Sequence, residues 1–383
     1  MDRILFQSKK KIEVLINASN IHSGGGLQVA VSFLYDIIHH KNTPFNFEII
    51  ASSEVARNLE DMGVQLNELN FFSEENSYGI KAIWSNLLNA KSSNLIIFNI
   101  FGPHYALIEK RYQITGFAQP WILNDSAYNT LGFLQSVKSK MKYLIQELFF
   151  ARADELVVEL PHVKKRLLEK NIQSASKIHV VNNCVSNIYS QPNKWMALAD
   201  RIENSGLKIG YIGRDYTHKN LNILPKVKKI LENFYHLDIT IYVTLNDEEW
   251  GRRSEYFRNN IENVGNLNIA QCPAFYKILD GVIFPSLLEC FSATPVEALF
   301  MKKPLFASNR HFVIDVCDKY AIYFDPLNPH DMAEKINDYF RLPKQQQQRF
   351  VHLGYEHIIS MPTSEDRSKN YIRLINNALN ELQ

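Results

Sequence analysis

The stretch GVIFPSLLECFSATPVEALFMKKPLFAS, residues 281–308, decides the fold of this chain. It opens with the apolar run 282–284, which is short enough to be a buried parallel strand. Thr294 and Pro295 are predicted to be the N-cap and the first residue of a helix, because Thr accepts a hydrogen bond from an orphan amide and Pro needs no donor there. A second apolar run, 305–307, returns the chain to the sheet. The stretch therefore predicts a strand, a loop, a helix and a strand in one right-handed unit.

Two glutamates follow the first strand of this unit. Glu289 lies in the loop and Glu297 in the first helical turn, beyond the carboxyl end of a buried strand, where open α/β sheets bind ligands. Glu297 stands three residues after Thr294, the spacing of a capping box, so its carboxylate could simply accept the Thr294 amide. Glu289, between Leu288 and Cys290 in an apolar loop, needs a partner, because an unpaired buried carboxylate is costly.

Two cations follow another predicted strand, at residues 208–213. Arg214 and Lys219 flank a short loop before a helix that begins near Asn220. Cations at a helix amino end can clamp a diphosphate, because charge-assisted contacts reinforce the backbone amides. A single Arg or Lys in a loop is usually solvated, but together with the two glutamates this pair indicates phosphate binding. No Gly-Lys-Ser/Thr sequence follows, so the loop is not a P-loop.

These motifs resemble retaining glycosyltransferases of family 4, which have the GT-B fold. In that family a Gly-Arg…Lys loop and loop amides hold the diphosphate, a first glutamate contacts the donor sugar and a second contacts the ribose. The resemblance implies that Glu289 contacts the sugar, that Glu297 contacts the ribose, and that Arg214 and Lys219 act on the diphosphate. It assigns the phosphate-binding amides to Ser292, Ala293 and Thr294. Many members have Gly where this chain has Cys290 and Ser292, which implies a stiffer loop and an unusual donor preference.

The resemblance also implies an activity. It implies transfer of a sugar, as by a hexosyltransferase, from a nucleotide diphosphate donor to a hydroxyl of a glycan or lipid-linked acceptor, in bacterial polysaccharide (O-antigen or capsule) synthesis. No cofactor and no metal are expected, because no acidic pair has metal-ligand spacing and the fold usually needs no divalent ion. Two alternatives stay open: a nucleotide-sugar epimerase of the same fold and a non-catalytic sugar-nucleotide binding subunit.

The first half of the chain carries a glycine run. Gly24, Gly25 and Gly26 follow the first predicted strand, 11–17, and precede a helix predicted from Leu27 to His39. The run is not a dinucleotide fingerprint, because the third glycine of that pattern is missing. The resemblance places Gly25 and Gly26 near the donor phosphates or the acceptor, and a plain tight turn is the alternative.

Two later loops carry candidate acceptor-site residues. His104 could polarise an acceptor hydroxyl or bind a phosphate, although a solitary histidine in an aromatic loop is more often structural. The resemblance leads us to expect a histidine after the strand that ends at Phe117, and this chain has Ala118 and Gln119 instead. Gln119 is the residue that could take over that hydrogen-bonding role.

Residues 137–152, VKSKMKYLIQELFFAR, combine lysines with an apolar stripe. A helix normally packs such a stripe inward, and we expect that here. A basic, partly apolar helix can also lie on anionic lipid, which would place the protein on the cytoplasmic face of the inner membrane.

The chain length suits two domains of roughly 150 to 200 residues. Apolar runs alternate with helical stretches, which is typical of doubly wound parallel sheets. We predict an α/β fold of two Rossmann-like domains facing a cleft, with an acceptor domain at 1–190, a linker at 191–206 and a nucleotide-sugar donor domain at 207–362. The terminal helix, within 363–383, is expected to cross back to the first domain.

The composition sets bounds on partners and location. The net charge of +2 gives no case for nucleic acid, which would need a concentrated basic face. The 4 cysteines are far apart, with no CxxC pair, so neither a zinc site nor a disulfide framework is expected. The amino terminus lacks the long apolar region of a signal peptide, and no run approaches the roughly 20 apolar residues of a membrane span. We therefore expect a cytoplasmic protein.

Overall fold

The computed structural model describes residues 13–22, 24–39, 43–77, 94–106, 108–124, 132–198 and 206–382. The chain divides into two compact units. Unit 1 comprises Met1–Leu123, Leu134–Asn183 and Ser364–Gln383, and unit 2 comprises Asn124–Phe133 and Cys184–Thr363. Residues 11–12 of the first predicted strand and 199–205 of the predicted linker lie outside the described residues.

Both units contain strands and helices that alternate along much of the chain. The strands are β1 (Val14–Ala18), β2 (Phe47–Ala51), β3 (Phe72–Glu74), β4 (Ile96–Asn99), β5 (Tyr112–Phe117), β6 (Glu155–Val158), β7 (Ile178–Val180), β8 (Leu207–Tyr211), β9 (Ile239–Val243), β10 (Glu262–Asn263), β11 (Gly281–Phe284), β12 (Leu305–Ser308) and β13 (Ile322–Phe324). The helices are α1 (Gly24–His39), α2 (Ser53–Asp61), α3 (Pro120–Leu123), α4 (Phe133–Phe150), α5 (Pro161–Glu169), α6 (Leu224–Asn233), α7 (Asp247–Gly251), α8 (Glu255–Arg258), α9 (Cys272–Ile278), α10 (Ala293–Phe300), α11 (His311–Cys317), α12 (Pro329–Arg341), α13 (Lys344–Ile359) and α14 (Ser364–Leu382).

Each unit is built on one parallel sheet. The strand order is β3-β2-β1-β4-β5-β6-β7 in the 7-stranded sheet of unit 1 and β10-β9-β8-β11-β12-β13 in the 6-stranded sheet of unit 2. Strand β4 and strand β11 are buried at every position, which is why such strands have continuous apolar sequences rather than alternating ones. The predicted α/β class with two doubly wound sheets is confirmed.

The order of strands reverses once in each sheet. The reversal lies between β1 and β4 in unit 1 and between β8 and β11 in unit 2. In open α/β sheets, ligands bind outside the carboxyl ends of the strands at such a point. The loop after β8 carries Arg214 and Lys219, and the loop after β11 carries Glu289, so the sheet brings the two predicted clusters to one place.

The last helix, α14, packs within unit 1. Tyr371 lies between Phe33 of α1 and Phe98 of β4, with ring centroids 5.2 Å and 5.3 Å away. Arg367 donates to the Ser32 hydroxyl at 2.9 Å and also to the Asn183 side chain. The carboxy-terminal segment therefore completes the core of the unit that the amino terminus begins.

Two helix starts differ from their predictions. Helix α1 begins at Gly24 rather than at Leu27, so the glycines form its first turn and not a preceding loop. Gly24 has a φ of +72°, which glycine adopts without steric cost as the chain turns toward the helix. Helix α10 begins at Ala293 with Ser292 as its N-cap, and Thr294 is an internal residue whose hydroxyl donates to the Ile212 carbonyl at 3.1 Å. The predicted N-cap at Thr294 is therefore wrong.

The orientation of α4 also differs from its prediction. Its apolar stripe was expected to pack inward, but Met141, Leu144 and Leu148 are 62%, 59% and 61% exposed. Unit 1 is instead contacted by the opposite side of the helix, where Tyr143 stacks on Trp121 at 6.0 Å and Phe150 is buried. None of the helices among the described residues is long and apolar enough to cross a membrane.

Candidate functional site

The loops after β8 and β11 are joined by hydrogen bonds. The Leu287 amide donates to the His218 carbonyl at 2.7 Å, and the Ser286 hydroxyl contacts the same carbonyl at 3.3 Å. The first loop contains Gly213, whose φ is +148° and where an added Cβ would lie 2.8 Å from the Tyr211 hydroxyl. These contacts fix the two loops side by side, so the functional side chains that they carry have defined positions.

Glu289 has the partner that its apolar surroundings require. Its Oε1 atom forms an ion pair with the Lys219 ammonium and accepts the Ser286 hydroxyl at 2.7 Å. The two charged side chains are only 10% and 12% exposed. The Lys219 ammonium also lies 5.4 Å from the centre of the Phe284 ring, in the geometry of a cation–π contact. The pair is therefore a charge couple held at the carboxyl ends of β8 and β11.

His218 completes this side of the site. Its Nε2 atom lies 3.8 Å from Glu289 Oε1. Burial lowers the pKa of His218, and the nearby Glu289 carboxylate opposes that effect only in part. The imidazole is therefore expected to be neutral at pH 7.

Arg214 is held by a carboxylate that the sequence did not single out. Its Nε donates to Glu249 Oε1 at 2.7 Å, and 45% of the arginine side chain is exposed against 4% for the glutamate. The bond with Glu249 raises the pKa of Arg214, so the guanidinium stays charged at any working pH. Arg214 and Lys219 thus both lie in the β8 loop, where the sequence predicted a diphosphate clamp; that role remains a prediction.

The amino end of α10 presents the predicted phosphate-binding amides. Ser292 is the N-cap, without a side-chain capping bond, and Ala293 and Thr294 are the first residues of the helix. The first amides of a helix have no intrahelical acceptor, and the macrodipole favours an anion there. The structure therefore offers a suitable anion position close to the loop after β8, where the Ile212 carbonyl accepts the Thr294 hydroxyl at 3.1 Å.

Glu297 is not part of a capping box. Its carboxylate is buried inside unit 2, where Oε2 accepts the Tyr276 hydroxyl at 2.9 Å. Burial raises the pKa of Glu297, although the Tyr276 bond acts in the opposite direction. Burial, together with the Glu297 charge, also raises the pKa of the neighbouring Cys272 thiol to about 12. The capping interpretation is wrong, and contact with a ribose remains a prediction.

The glycine run lies at the strand reversal of unit 1. An added Cβ on Gly26 would lie 3.4 Å from the Phe101 ring, whereas one on Gly25 would meet nothing within 4 Å. Asn20 donates to the Phe101 carbonyl at 2.9 Å, which joins the segments after β1 and β4. A Cβ at Gly26 would thus make an ordinary van der Waals contact with the β4 loop, and one at Gly25 would lie in open space.

His104 lies inside unit 1. Its Nε2 is 2.9 Å from Glu109 Oε2, and the two side chains are 1% and 3% exposed. Arg111 donates to both oxygens of Glu109, at 2.8 Å and 2.6 Å. In this conformation the buried imidazole cannot contact an acceptor substrate, so its surroundings are those of a structural histidine. Gln119 is half-buried after β5 and donates to Gln146 of α4 at 3.1 Å.

Sequence reasoning missed Glu249, Tyr276 and Ser286. Glu249 could have been noticed as the last residue of an Asn-Asp-Glu-Glu capping box, which the structure contains. Nothing in the sequence indicated that its second oxygen would contact Arg214. The described residues contain no group of three or more His, Cys, Asp or Glu side chains that could hold a metal ion.

Comparisons with known proteins show what this chain is similar to in sequence and fold. Residues 199–357 match the family model described as glycosyl transferases group 1. The chain is similar to the capsular polysaccharide biosynthesis glycosyltransferase CapM of Staphylococcus aureus, with 23% identity over 182 residues, which are 45% of this chain and 48% of CapM. The chain thus spans about half the length of this curated relative.

Solved structures share the fold along nearly the whole chain. A glycosyltransferase from Rickettsia africae has a TM-score of 0.67 and 17% identity, covering 96% of this chain and 98% of that one. Sucrose-phosphate synthase from Thermosynechococcus elongatus has a TM-score of 0.70 and 12% identity, covering 97% and 100%. Anabaena HepE in complex with UDP and glucose has a TM-score of 0.67 and 11% identity, covering 96% and 100%. The predicted resemblance to GT-B glycosyltransferases is confirmed, in the fold and in the family match of residues 199–357.

Proposed function

We propose, from the group 1 match of residues 199–357, that this protein transfers a sugar from a nucleotide diphosphate donor to a hydroxyl of a glycan or lipid-linked acceptor, with retention at the anomeric carbon. The observation that carries the proposal is the buried Lys219–Glu289 pair, whose glutamate lies in the loop that leads into α10. The pair lies where the strand order of unit 2 reverses, and within the matched residues.

The chemistry requires stabilisation of a departing diphosphate. Arg214 and Lys219 supply positive charge, and the amides at Ser292, Ala293 and Thr294 supply donors. Preorganised charges and donors aimed at developing charge usually make the largest contribution to catalysis. With two fixed cations in this role, we propose that the enzyme uses neither a metal nor a cofactor besides its donor.

Glu289 is proposed to act on the sugar. In the structure its charge is compensated by Lys219 and by the Ser286 hydroxyl. A bound diphosphate would attract the Lys219 ammonium, and the Glu289 carboxylate could then accept hydrogen bonds from sugar hydroxyls. Glu297, farther into the helix and bonded to Tyr276, is proposed to contact the ribose.

The relatives guide the choice of substrates. The name of CapM supports a role in the synthesis of capsule or another bacterial surface polysaccharide, such as O-antigen. The HepE complex with UDP and glucose makes UDP-hexoses the first donors to test, in keeping with a hexosyltransferase.

A donor experiment separates the proposal from its alternatives. UDP, GDP and dTDP are first screened by thermal shift, since a ligand at 100 times its dissociation constant stabilises the folded protein by about 2.7 kcal/mol. Donors with the base that binds are then incubated with and without a glycan acceptor. Transfer requires the acceptor, epimerisation does not, and a binding subunit turns over nothing. Failure of all three diphosphates to bind would refute the proposal.

We also propose that α4 rests on the cytoplasmic face of the membrane that carries the acceptor. A helix on the surface of a protein normally turns its apolar side toward the core, whereas the apolar side of α4 faces solvent. Its exposed apolar residues are Phe133, Leu134, Val137, Met141, Leu144, Ile145 and Leu148. They repeat at helical spacing and form one stripe from residue 133 to residue 148, which is about 24 Å of helix at 1.5 Å per residue.

The charge beside this stripe favours an anionic bilayer over an apolar protein partner. Lys138, Lys140 and Lys142 are exposed on the same helix, whereas its acidic residue Glu147 lies 3.8 Å from Lys170. Each lysine near an anionic surface contributes about 1 kcal/mol of attraction. The stripe can insert at the boundary between head groups and acyl chains while the lysines contact the head groups.

Vesicle co-sedimentation tests the membrane proposal. The protein should sediment with phosphatidylglycerol vesicles and much less with phosphatidylcholine vesicles. Met141→Glu with Leu144→Glu should abolish binding. Phe234→Glu, a change at a 73% exposed residue of unit 2, should have no effect. Equal sedimentation of the double variant and wild type would contradict the proposal, and so would a stable dimer that the same two changes dissociate.

A further inference from the structure

Glu249 is buried in a way that capping of α7 does not explain. Its Oε2 accepts the Asn246 amide at 3.1 Å, which completes the capping box. Its Oε1 points to the β8 loop, where it accepts Arg214 Nε at 2.7 Å and the Asp215 amide at 3.1 Å. A capping glutamate needs only one oxygen and can remain in solvent, whereas this side chain is 4% exposed. Capping therefore accounts for the Oε2 contact and leaves the contacts of Oε1 unexplained.

We infer that Glu249 is a positioning residue, which orients the Arg214 guanidinium toward the phosphates of the donor. This inference rests on the proposed function and adds a residue to it. A guanidinium has five N–H donors in a fixed fork, and a carboxylate that holds Nε leaves the two terminal nitrogens for a ligand. Phosphate is bound bidentately by that terminal edge.

The surroundings of the loop support this role. Asp215, the residue after Arg214, forms an ion pair with Arg253, which also donates to Asn222 at 2.6 Å. The Arg253 guanidinium lies 4.5 Å from the centre of the Phe257 ring. The negative charge of Asp215 is thus compensated by its own partner. Glu249 is accordingly the carboxylate that contacts the Arg214 side chain.

The electrostatics fit a carboxylate that is charged at working pH. Burial acts to raise the pKa of Glu249, but the bonds from Arg214 and from the Asp215 and Asn246 amides outweigh it, and the pKa lies below its usual value. A charged carboxylate fixes an arginine that would otherwise lose rotamer entropy when it binds phosphate. The same negative charge also repels phosphate. Removal of the Glu249 charge would therefore weaken phosphate binding by the first effect and strengthen it by the second.

Calorimetric measurement of nucleoside diphosphate binding decides between these effects. The probe is UDP, GDP or dTDP, whichever binds the wild-type protein. We expect Glu249→Gln to weaken binding about tenfold, the lower limit for loss of a charge-assisted hydrogen bond. Glu248→Gln is the matched control, because it removes the same charge from the same helix at a side chain that is 79% exposed. Ser254→Ala removes the N-cap of α8 and controls for a purely structural loss. Both control variants should bind like wild type, even where Ser254→Ala lowers Tm.

A double-mutant cycle then identifies the residue through which Glu249 acts. In an Arg214→Ala background, Glu249→Gln should change the dissociation constant less than twofold, because the side chain that it orients is gone. Unchanged or tighter binding by Glu249→Gln alone, or a tenfold loss that persists without Arg214, would overturn the inference. If Arg214→Ala loses affinity and Glu249→Gln does not, only the positioning role fails. If no diphosphate binds the wild type, the proposed function fails with it.

Discussion

The ion pair between Lys219 and Glu289 allows a sharp test of the site. Lys219→Met removes the ammonium but keeps an apolar side chain over the Phe284 ring. Glu289 then remains 10% exposed beside the Ser286 hydroxyl and the His218 imidazole, whose Nε2 lies 3.8 Å away and carries no charge while the imidazole is neutral. Glu289→Gln in the same chain removes the uncompensated charge and retains a group that can accept the Ser286 hydroxyl.

The magnitude follows from the burial of the pair. Removing one partner of a buried ion pair typically costs about 3 to 5 kcal/mol, and the residual exposure of both side chains places this pair near 3 kcal/mol. For a domain of this size, 1 kcal/mol shifts Tm by about 2 to 4 °C, so Lys219→Met should melt about 6 to 12 °C below wild type. The double variant should recover most of that loss, because replacing both charges can be nearly neutral.

Scanning calorimetry of the wild type, both single variants and the double variant measures this coupling. Unit 2 should account for the shift, since the two residues lie in its loops. Lys228→Met is the matched control, because it breaks the helical ion pair with Glu232 outside the site. A Lys219→Met variant that melts within 1 °C of wild type, or a double variant no more stable than Lys219→Met, would refute the assignment of a buried, mutually compensating pair.

Three further predictions concern the ligand. Arg214→Ala and Lys219→Ala should each weaken nucleoside diphosphate binding roughly ten- to a hundredfold, and unchanged calorimetric affinity in both would remove the clamp. Glu289→Gln should lower kcat and kcat/KM together while KM and diphosphate binding stay near wild type; full turnover would exclude its role on the sugar. Burial raises the pKa of Glu297, so its contribution to stability is present at low pH and is lost as pH rises through the folded-state pKa. Glu297→Gln should therefore gain Tm relative to wild type as pH rises from the ordinary carboxyl pKa through the raised folded-state pKa, and it should bind diphosphate more weakly. A Tm difference that does not change with pH would contradict the buried carboxylate, and wild-type affinity would contradict the ribose contact.

The sequence was informative where local rules apply. The strand β11 and the helix after it were predicted because apolar runs, Pro and Thr act through neighbours in the chain. The exact helix start was missed, because the Thr294 hydroxyl donates to the Ile212 carbonyl instead of accepting a hydrogen bond from a helix amide. That choice depends on a carbonyl far away in sequence, which no local pattern describes.

By itself, the sequence determined the fold class and the two loops that would carry the site, because hydrophobic periodicity and turn residues specify secondary structure and strand order follows simple rules. Only the tertiary structure decided the partners: Lys219 for Glu289, Glu249 for Arg214, Tyr276 for Glu297 and Glu109 for His104. It also decided that the apolar side of α4 faces solvent. The physical reason is that a periodic pattern shows that a helix has two faces, whereas burial and charge pairing depend on which distant segments pack against them.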